Sequence, residues 1–167
     1  MLEKCIIRPW RAGDEDALVR HANSQSIWRN VRDRFPHPYT YREAVWWIGH
    51  ATLQSPTTDF AIEVEGEAAG GIGLTLQSDV HRRAAEIGYW LGETVRGRGI
   101  ATEAVRAVTD WGFKSFDLCR IYAHVFAWNP VSARVLEKAG YELEGRLRKS
   151  VFKEGEITDE LVYAVVR

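Results

Sequence analysis

The stretch Glu86-Ile-Gly-Tyr-Trp-Leu-Gly-Glu-Thr-Val-Arg-Gly-Arg-Gly-Ile-Ala-Thr102 decides how this chain is read. A strand-like run rich in Ile, Tyr and Trp meets a short, basic, glycine-rich turn. A helical pattern starts at once, with Ala101, Ala104, Val105, Val108 and Trp111 at three- and four-residue spacing. Glycine lets backbone N–H groups approach an anion closely, and the start of a helix leaves its first N–H groups without partners. The helix dipole favours negative charge at the same place. The junction therefore reads as a phosphate cradle, to which Arg96 and Arg98 add ionic contacts.

Several strand–glycine–helix readings compete. A Walker-type loop needs Lys and then Ser or Thr after its last glycine, but Ile100 and Ala101 follow Gly99. A dinucleotide fingerprint needs Gly or Ala where Thr102 stands and an acidic residue ending the next strand. That strand, Arg120 to Ala127, leads into Trp128-Asn129 with no carboxylate. A structural turn carrying two solvated arginines is the plain alternative.

One further pattern fits. Arg96-x-x-Gly99-x-Ala101 resembles the acetyl-CoA pyrophosphate motif of the GNAT superfamily of N-acetyltransferases, Arg/Gln-x-x-Gly-x-Gly/Ala. Asn129-Pro-Val-Ser132 and Leu136-Glu-Lys-Ala-Gly140-Tyr141 resemble the superfamily's next helix and the strand after it. Glu86-Ile-Gly-Tyr-Trp-Leu91 and Ile7-Arg8-Pro9-Trp10 resemble its RimJ/RimL-like branch in particular. The resemblance spans nearly the whole chain.

Composition agrees with such a protein. The 167 residues suit one domain, 1–167, and 46% hydrophobic residues with seven Trp are enough for a sizeable core. A net charge of −1 without long like-charge runs points away from nucleic acid and anionic membrane as partners. No apolar run approaches the ~20 residues that cross a bilayer. The opening Met1-Leu-Glu-Lys-Cys-Ile-Ile-Arg8 does not read as a signal peptide. Cys5 and Cys119 lack metal or redox spacing, so reduced, buried thiols in a cytoplasmic protein are expected.

The local patterns give an element order. Lys4 to Pro9 reads as a strand, Gly13-Asp-Glu-Asp16 opens a helix to Ala22, and a short helix covers Ser26 to Val31. Phe35-Pro-His-Pro-Tyr39 is expected to be extended, and Thr40-x-x-Glu43 is a capping box opening a helix to Ala51. Asp59 to Val64 and Ala69 to Gln77 form a hairpin, followed by a strand at Ala84 to Leu91 and a helix from Gly99 to Phe116. Arg120 to Ala127 is a strand, and Asn129 caps a helix with Pro130 at its first position and Gly140 at its end. Tyr141 to Arg148 and Ile157 to Val166 close the chain as a hairpin. The result is an α/β (α+β) chain with helices on both faces of a mixed sheet. The resemblance implies about seven mostly antiparallel strands, with the fourth and fifth, Ala84–Leu91 and Arg120–Ala127, splayed around acetyl-CoA.

What the resemblance implies for chemistry can be set residue by residue. Acetyl transfer needs a neutral amine, a stabilised oxyanion and a protonated leaving thiolate. Backbone around Trp90, Leu91 and Gly92 would hold the acetyl carbonyl and the pantetheine arm. Backbone over Arg96, Gly97, Arg98, Gly99, Ile100, Ala101 and Thr102 would hold the pyrophosphate. Asn129 and Ser132 would bond the cofactor near its thioester. No cysteine is placed for an acetyl-enzyme, so direct transfer in a ternary complex is expected. Glu86 is the candidate base, directly or through water, against a rim carboxylate that orients substrate or pairs with Arg82 or Arg83. Many members carry Tyr seven residues after the asparagine as the acid, but here that residue is Leu136. Ser132 is the substitute acid, against a role in capping the helix.

Candidates for contact with the acceptor are Trp28, His37, Tyr39, Trp47 and Tyr89, with packing as the alternative for each aromatic. The histidines show no metal-ligand spacing, so no metal is expected. The acceptor favoured by the resemblance is a protein or peptide α-amine of ribosomal-protein type. A small-molecule amine (polyamine, amino acid or antibiotic) is the alternative, and a non-catalytic acyl-CoA-binding domain is the competitor from another class. A homodimer is compatible with the resemblance.

Overall fold

A computed structural model describes residues 2–167. The strands are β1 (Ile6–Pro9), β2 (Asp59–Val64), β3 (Glu67–Leu76), β4 (Ala84–Leu91), β5 (Arg120–Phe126), β6 (Glu142–Lys153) and β7 (Glu156–Val166). The helices are α1 (Glu15–Ala22), α2 (Gln25–Trp28), α3 (Tyr41–Thr52), α4 (Ile100–Ser115) and α5 (Pro130–Ala139). All seven strands form one sheet in the order β1-β2-β3-β4-β5-β7-β6. The pairs β1–β2, β2–β3, β5–β7 and β6–β7 are antiparallel, and β4–β5 is parallel. This is the mixed, mostly antiparallel sheet that the sequence predicts.

The parallel pair is the feature that matters for function. β4 and β5 are in register only from Ala84↔Arg120 to Glu86↔Tyr122, although both strands continue. That short pairing is the splay expected of the fourth and fifth strands.

The chain's contacts fall into two compact units. One joins the chain up to Gly73 with Tyr89–Ala104; the other joins Leu74–Gly88 with Val105–Arg167. In the first, Leu18 and Ala22 of α1 and Ala44, Ile48 and Ala51 of α3 supply apolar stripes at helical spacing. They bury against Trp10, Ala61 and Ala68, with Trp90 and Phe35 at the margin. The capping box opens α3 as expected, Thr40 N–H donating to Glu43 Oε2 at 3.2 Å. In the second unit, α4 lies close enough to its strands that a β-carbon at Gly112 would stand 2.6 Å from Leu74 Cδ1 and 3.1 Å from Ile121 Cδ1.

Three local expectations change. The second helix is a single turn that begins earlier, because Ser24 caps it by accepting from Ile27 N–H at 3.3 Å. Phe35 to Tyr39 bends repeatedly instead of running extended. Each proline restricts only its predecessor, while burial draws the Phe35 and Tyr39 rings together at 5.2 Å between centroids. The closing hairpin is longer than predicted and turns at Glu154-Gly155. Its apolar alternation is hidden in a charged stretch, where Asp159 accepts from Lys149 N–H at 2.8 Å and Arg146 Nε at 2.5 Å.

Candidate active site

The strand β4 ends at a main chain with little room for side chains. Gly92 N–H donates to Ala69 O at 2.8 Å, and a β-carbon at Gly92 would stand 2.5 Å from His21 Nδ1. A short 3-10 turn, Glu93–Val95, follows with Val95 buried. Gly97 and Gly99 then adopt φ of +76° and +79°, the left-handed region that glycine enters without steric cost. α4 starts at Ile100, whose side chain is buried and fixes the helix start. Among the described residues, no acceptor is found for the backbone N–H groups of residues 97–102. Consecutive unpaired donors at a helix N-terminus are the geometry that holds a phosphate.

The side chains of this turn do something other than expected. Arg96 does not extend away from the protein: Nε donates to Leu91 O at 3.0 Å, and a terminal nitrogen donates to Ser26 Oγ at 3.0 Å. Arg98 pairs with Glu65 at 2.5 Å on the surface. Glu93 accepts from the Ser24 hydroxyl and from Ser26 Oγ, the latter at 2.6 Å. These hydroxyls hold its carboxyl below the usual carboxylate range, with Arg96 adding a smaller effect. The arginines thus brace the turn, and the cradle itself is main chain.

On β4, Glu86 is half-buried and stands opposite Tyr122 at the last paired position of β4 and β5. Arg83 binds Asp117 at 2.8 Å, and Arg82 donates to Asp79 O at 3.1 Å. Two residues along β5 from Tyr122, His124 Nδ1 lies 3.0 Å from Glu160 Oε2 of β7, with the Tyr122 and His124 rings 5.5 Å apart. Alternation puts Tyr122 and His124 on one face of β5. Nothing local in the sequence announces the His124–Glu160 pair, because its members meet only through β5–β7 pairing. The alternation of Tyr122 and His124 is the one signal it leaves.

Asn129 caps α5 by accepting from Ser132 N–H at 3.2 Å. The cap uses Asn129 Oδ1 and the Ser132 main chain. Leu136 is fully buried, and Tyr141 is buried with its hydroxyl 2.6 Å from Thr109 Oγ1. Both are core residues.

Burial divides the aromatic acceptor candidates. Tyr39 is a correction: it is only 5% exposed and belongs to the first unit's core, and burial pushes its phenol well above the usual range. Trp47 is half-buried, packing against that core with its ring 6.0 Å from His50, while its neighbour Trp46 is 66% exposed and stacks on His50. The half-buried Trp90 ring packs edge-on against Phe35 with centroids 5.8 Å apart. Trp28 is half-buried and stacks on the exposed His37 at 5.2 Å, and Tyr89 is half-buried on β4. Among the described residues there is no cluster of three or more His, Cys, Asp or Glu arranged to hold a metal ion.

Comparison with known proteins places this geometry. The Acetyltransferase (GNAT) domain family matches residues 4–142. YdaF of Bacillus subtilis (strain 168), provisionally named a ribosomal N-acetyltransferase, is 30% identical over 77% of this chain and 70% of its own. The spermidine N(1)-acetyltransferase of Escherichia coli (strain K12) is 33% identical over 58% of this chain and about half of its own, 52%. A solved structure of RimL, a ribosomal L7/L12 α-N-protein acetyltransferase in complex with coenzyme A, superposes with a TM-score of 0.86. It covers 99% of this chain and 95% of its own at 20% identity. With the family match running through both splayed strands and the glycine turn between β4 and α4, the chain belongs to the GNAT family and is an acetyl-CoA-dependent N-acetyltransferase.

Proposed function

We propose that the chain, acting as one catalytic domain in the cytoplasm, acetylates the N-terminal α-amine of a protein or peptide by direct transfer in a ternary complex. The run of unpaired N–H groups at residues 97–102 carries the cofactor half of this reading. It fits a diphosphate because the donors are successive, sit at a helix start and follow two glycines in the left-handed region. When bound there, acetyl-CoA supplies an acyl thioester. Asn129, whose Oδ1 is engaged by the helix cap, has its amide N–H groups to offer near the thioester arm. Glu86 would take a proton from the acceptor's ammonium, directly or through a water, leaving the neutral amine to attack. Ser132 would give its hydroxyl proton to the departing thiolate and take one back from solvent. Trp28, His37 and Tyr89 border the acceptor.

Protonation arithmetic favours the α-amine. Neutralising an amine of pKa 7.7–8.0 at pH 7 costs about 1–1.4 kcal/mol, against about 4.6 kcal/mol for a lysine near 10.4. One carboxylate on a half-buried strand suffices for the first. The similarity to YdaF supports the same choice. The second reading, a small-molecule amine, is favoured by the 33% identity to the Escherichia coli spermidine enzyme. A thiol-release assay with acetyl-CoA tests both, using peptides with free N-termini, N-blocked lysine peptides and polyamines. Peptides with free N-termini should release thiol fastest. Faster release with spermidine would overturn the favoured acceptor, and release with no amine would overturn both.

A further inference from the structure

The segment before β1 carries a cation that the mechanism above leaves unused. The backbone N–H groups of Glu3 and Lys4 donate to the two carboxylate oxygens of Glu103, at 2.6 and 3.0 Å. Glu103 stands in the first turn of α4, and its own N–H donates to Gly99 O at 3.2 Å. One residue thus ties together the N-terminal segment, the start of α4 and the glycine turn.

The tie lays Lys4 over the turn. A β-carbon added at Gly99 would stand 2.6 Å from Lys4 Nζ, with Cδ and Cε of the same side chain at 3.8 Å. Among the described residues no acceptor is found for this ammonium. Its surroundings repel it, since the unpaired N–H groups of residues 97–102 form the positive end of α4. The other cations of the turn are engaged: Arg96 with Leu91 O and Ser26, Arg98 with Glu65. The nearby carboxylate, Glu103, is taken by two main-chain donors. An ammonium that lies over the positive end of a helix, and is not itself bonded to the nearby Glu103 carboxylate, is placed to meet an anion from solution.

We propose that Lys4, pinned by Glu103, is a diphosphate-binding residue of the acetyl-CoA site, a role that rests on the cofactor reading above. Lysine suits the position because its ammonium acts as a compact point charge on a flexible stem. It complements main-chain donors whose directions are fixed, and it adds the ionic contact that Arg96 does not supply.

Calorimetry with two probes tests this: coenzyme A, and pantetheine, which lacks the diphosphate and nucleotide. Lys4 is exposed, so Lys4→Ala leaves the core intact. Lys4→Ala should weaken coenzyme A binding roughly five- to tenfold, and Lys4→Arg should recover most of the loss. Pantetheine binding should stay the same. Glu103→Ala should mimic Lys4→Ala, and the double variant should bind no worse than Glu103→Ala alone. If wild type binds coenzyme A and Lys4→Ala binds it equally well, the role of Lys4 is overturned and the cofactor reading stands. Equal weakening for both probes also overturns it, because the diphosphate would not be what Lys4 senses. Wild-type protein that bound no coenzyme A would overturn the cofactor reading itself.

Discussion

Two regions of the first unit, the turn at residues 91–102 and the helical stretch at residues 24–53, are built on opposite plans. In the turn, the groups left for a ligand are main-chain N–H donors, while Glu93, Arg96 and Arg98 are directed at other parts of the protein. In the helical stretch α2 and α3 satisfy much of the main chain internally, and what it presents outward is side chains. Exposed Trp46 stacked on His50 and His37 stacked on Trp28 are examples. A surface of the first kind is constrained by backbone geometry, which few residues can satisfy. A surface of the second kind changes with any exposed residue and leaves the fold alone. On the proposed assignment of sites, that difference would let one fold keep a cofactor while its acceptor surface varies.

The contrast can be broken most sharply by separating chemistry from binding. Glu86→Gln should lower kcat by about 10²–10³-fold with the preferred amine while leaving the coenzyme A Kd within ~twofold. Steady-state kinetics across pH, with calorimetry alongside, checks this, and an unchanged pH–rate profile would remove Glu86 as the base. Next in size is the turn itself. Gly99→Val forces a β-branched residue into φ near +79° and against Lys4. It should weaken coenzyme A binding roughly 100-fold and lower Tm by about 2–12 °C through the backbone strain; retained affinity would refute a main-chain cradle.

The paired tryptophans sharpen the other side. Trp47→Ala should cost about 3 kcal/mol, or roughly 6–12 °C in Tm, because the ring packs on the core. Trp46→Ala should leave Tm nearly unchanged, because its ring is 66% exposed. Thermal melts on both variants decide it, and the reverse pattern would invert the assignment.

The smallest effect reports on the clamp beneath the turn. Burial, assisted by Glu103, pushes the Cys5 thiol up to about 11. Because the thiolate is the reactive form, only about 10⁻³ of Cys5 is reactive at pH 8. Iodoacetamide should therefore modify the half-buried Cys119 before Cys5, as peptide mapping will show. Glu103→Ala should speed modification of Cys5, since it removes both the charge and the clamp.

Much of this molecule is legible in its residue order. The strand Ala84–Leu91 follows from the sequence to the residue, and α4 and α5 follow with their boundaries nearly in place. These elements carry strong local signals: alternating β-branched and aromatic residues, an Asn-Pro start and a Gly140 stop at φ +95°. The site is legible to the extent that it is main chain. Tyr39 reads as an acceptor contact in sequence because neighbouring aromatics look alike until packing chooses which of them to bury. Lys4 and the His124–Glu160 pair leave no such local mark, since their partners lie far along the chain.

The sequence by itself determined the strand, the glycines, the helix start and therefore a main-chain anion site, because left-handed φ and helix initiation are written in local residue types. Only the tertiary structure decided where the charges went. Arg96 turned back onto Leu91, Glu93 onto two serines, and Lys4 came to rest above Gly99. The physical reason is that a long side chain goes to whichever partner the fold brings within reach, and that partner is not its neighbour in sequence.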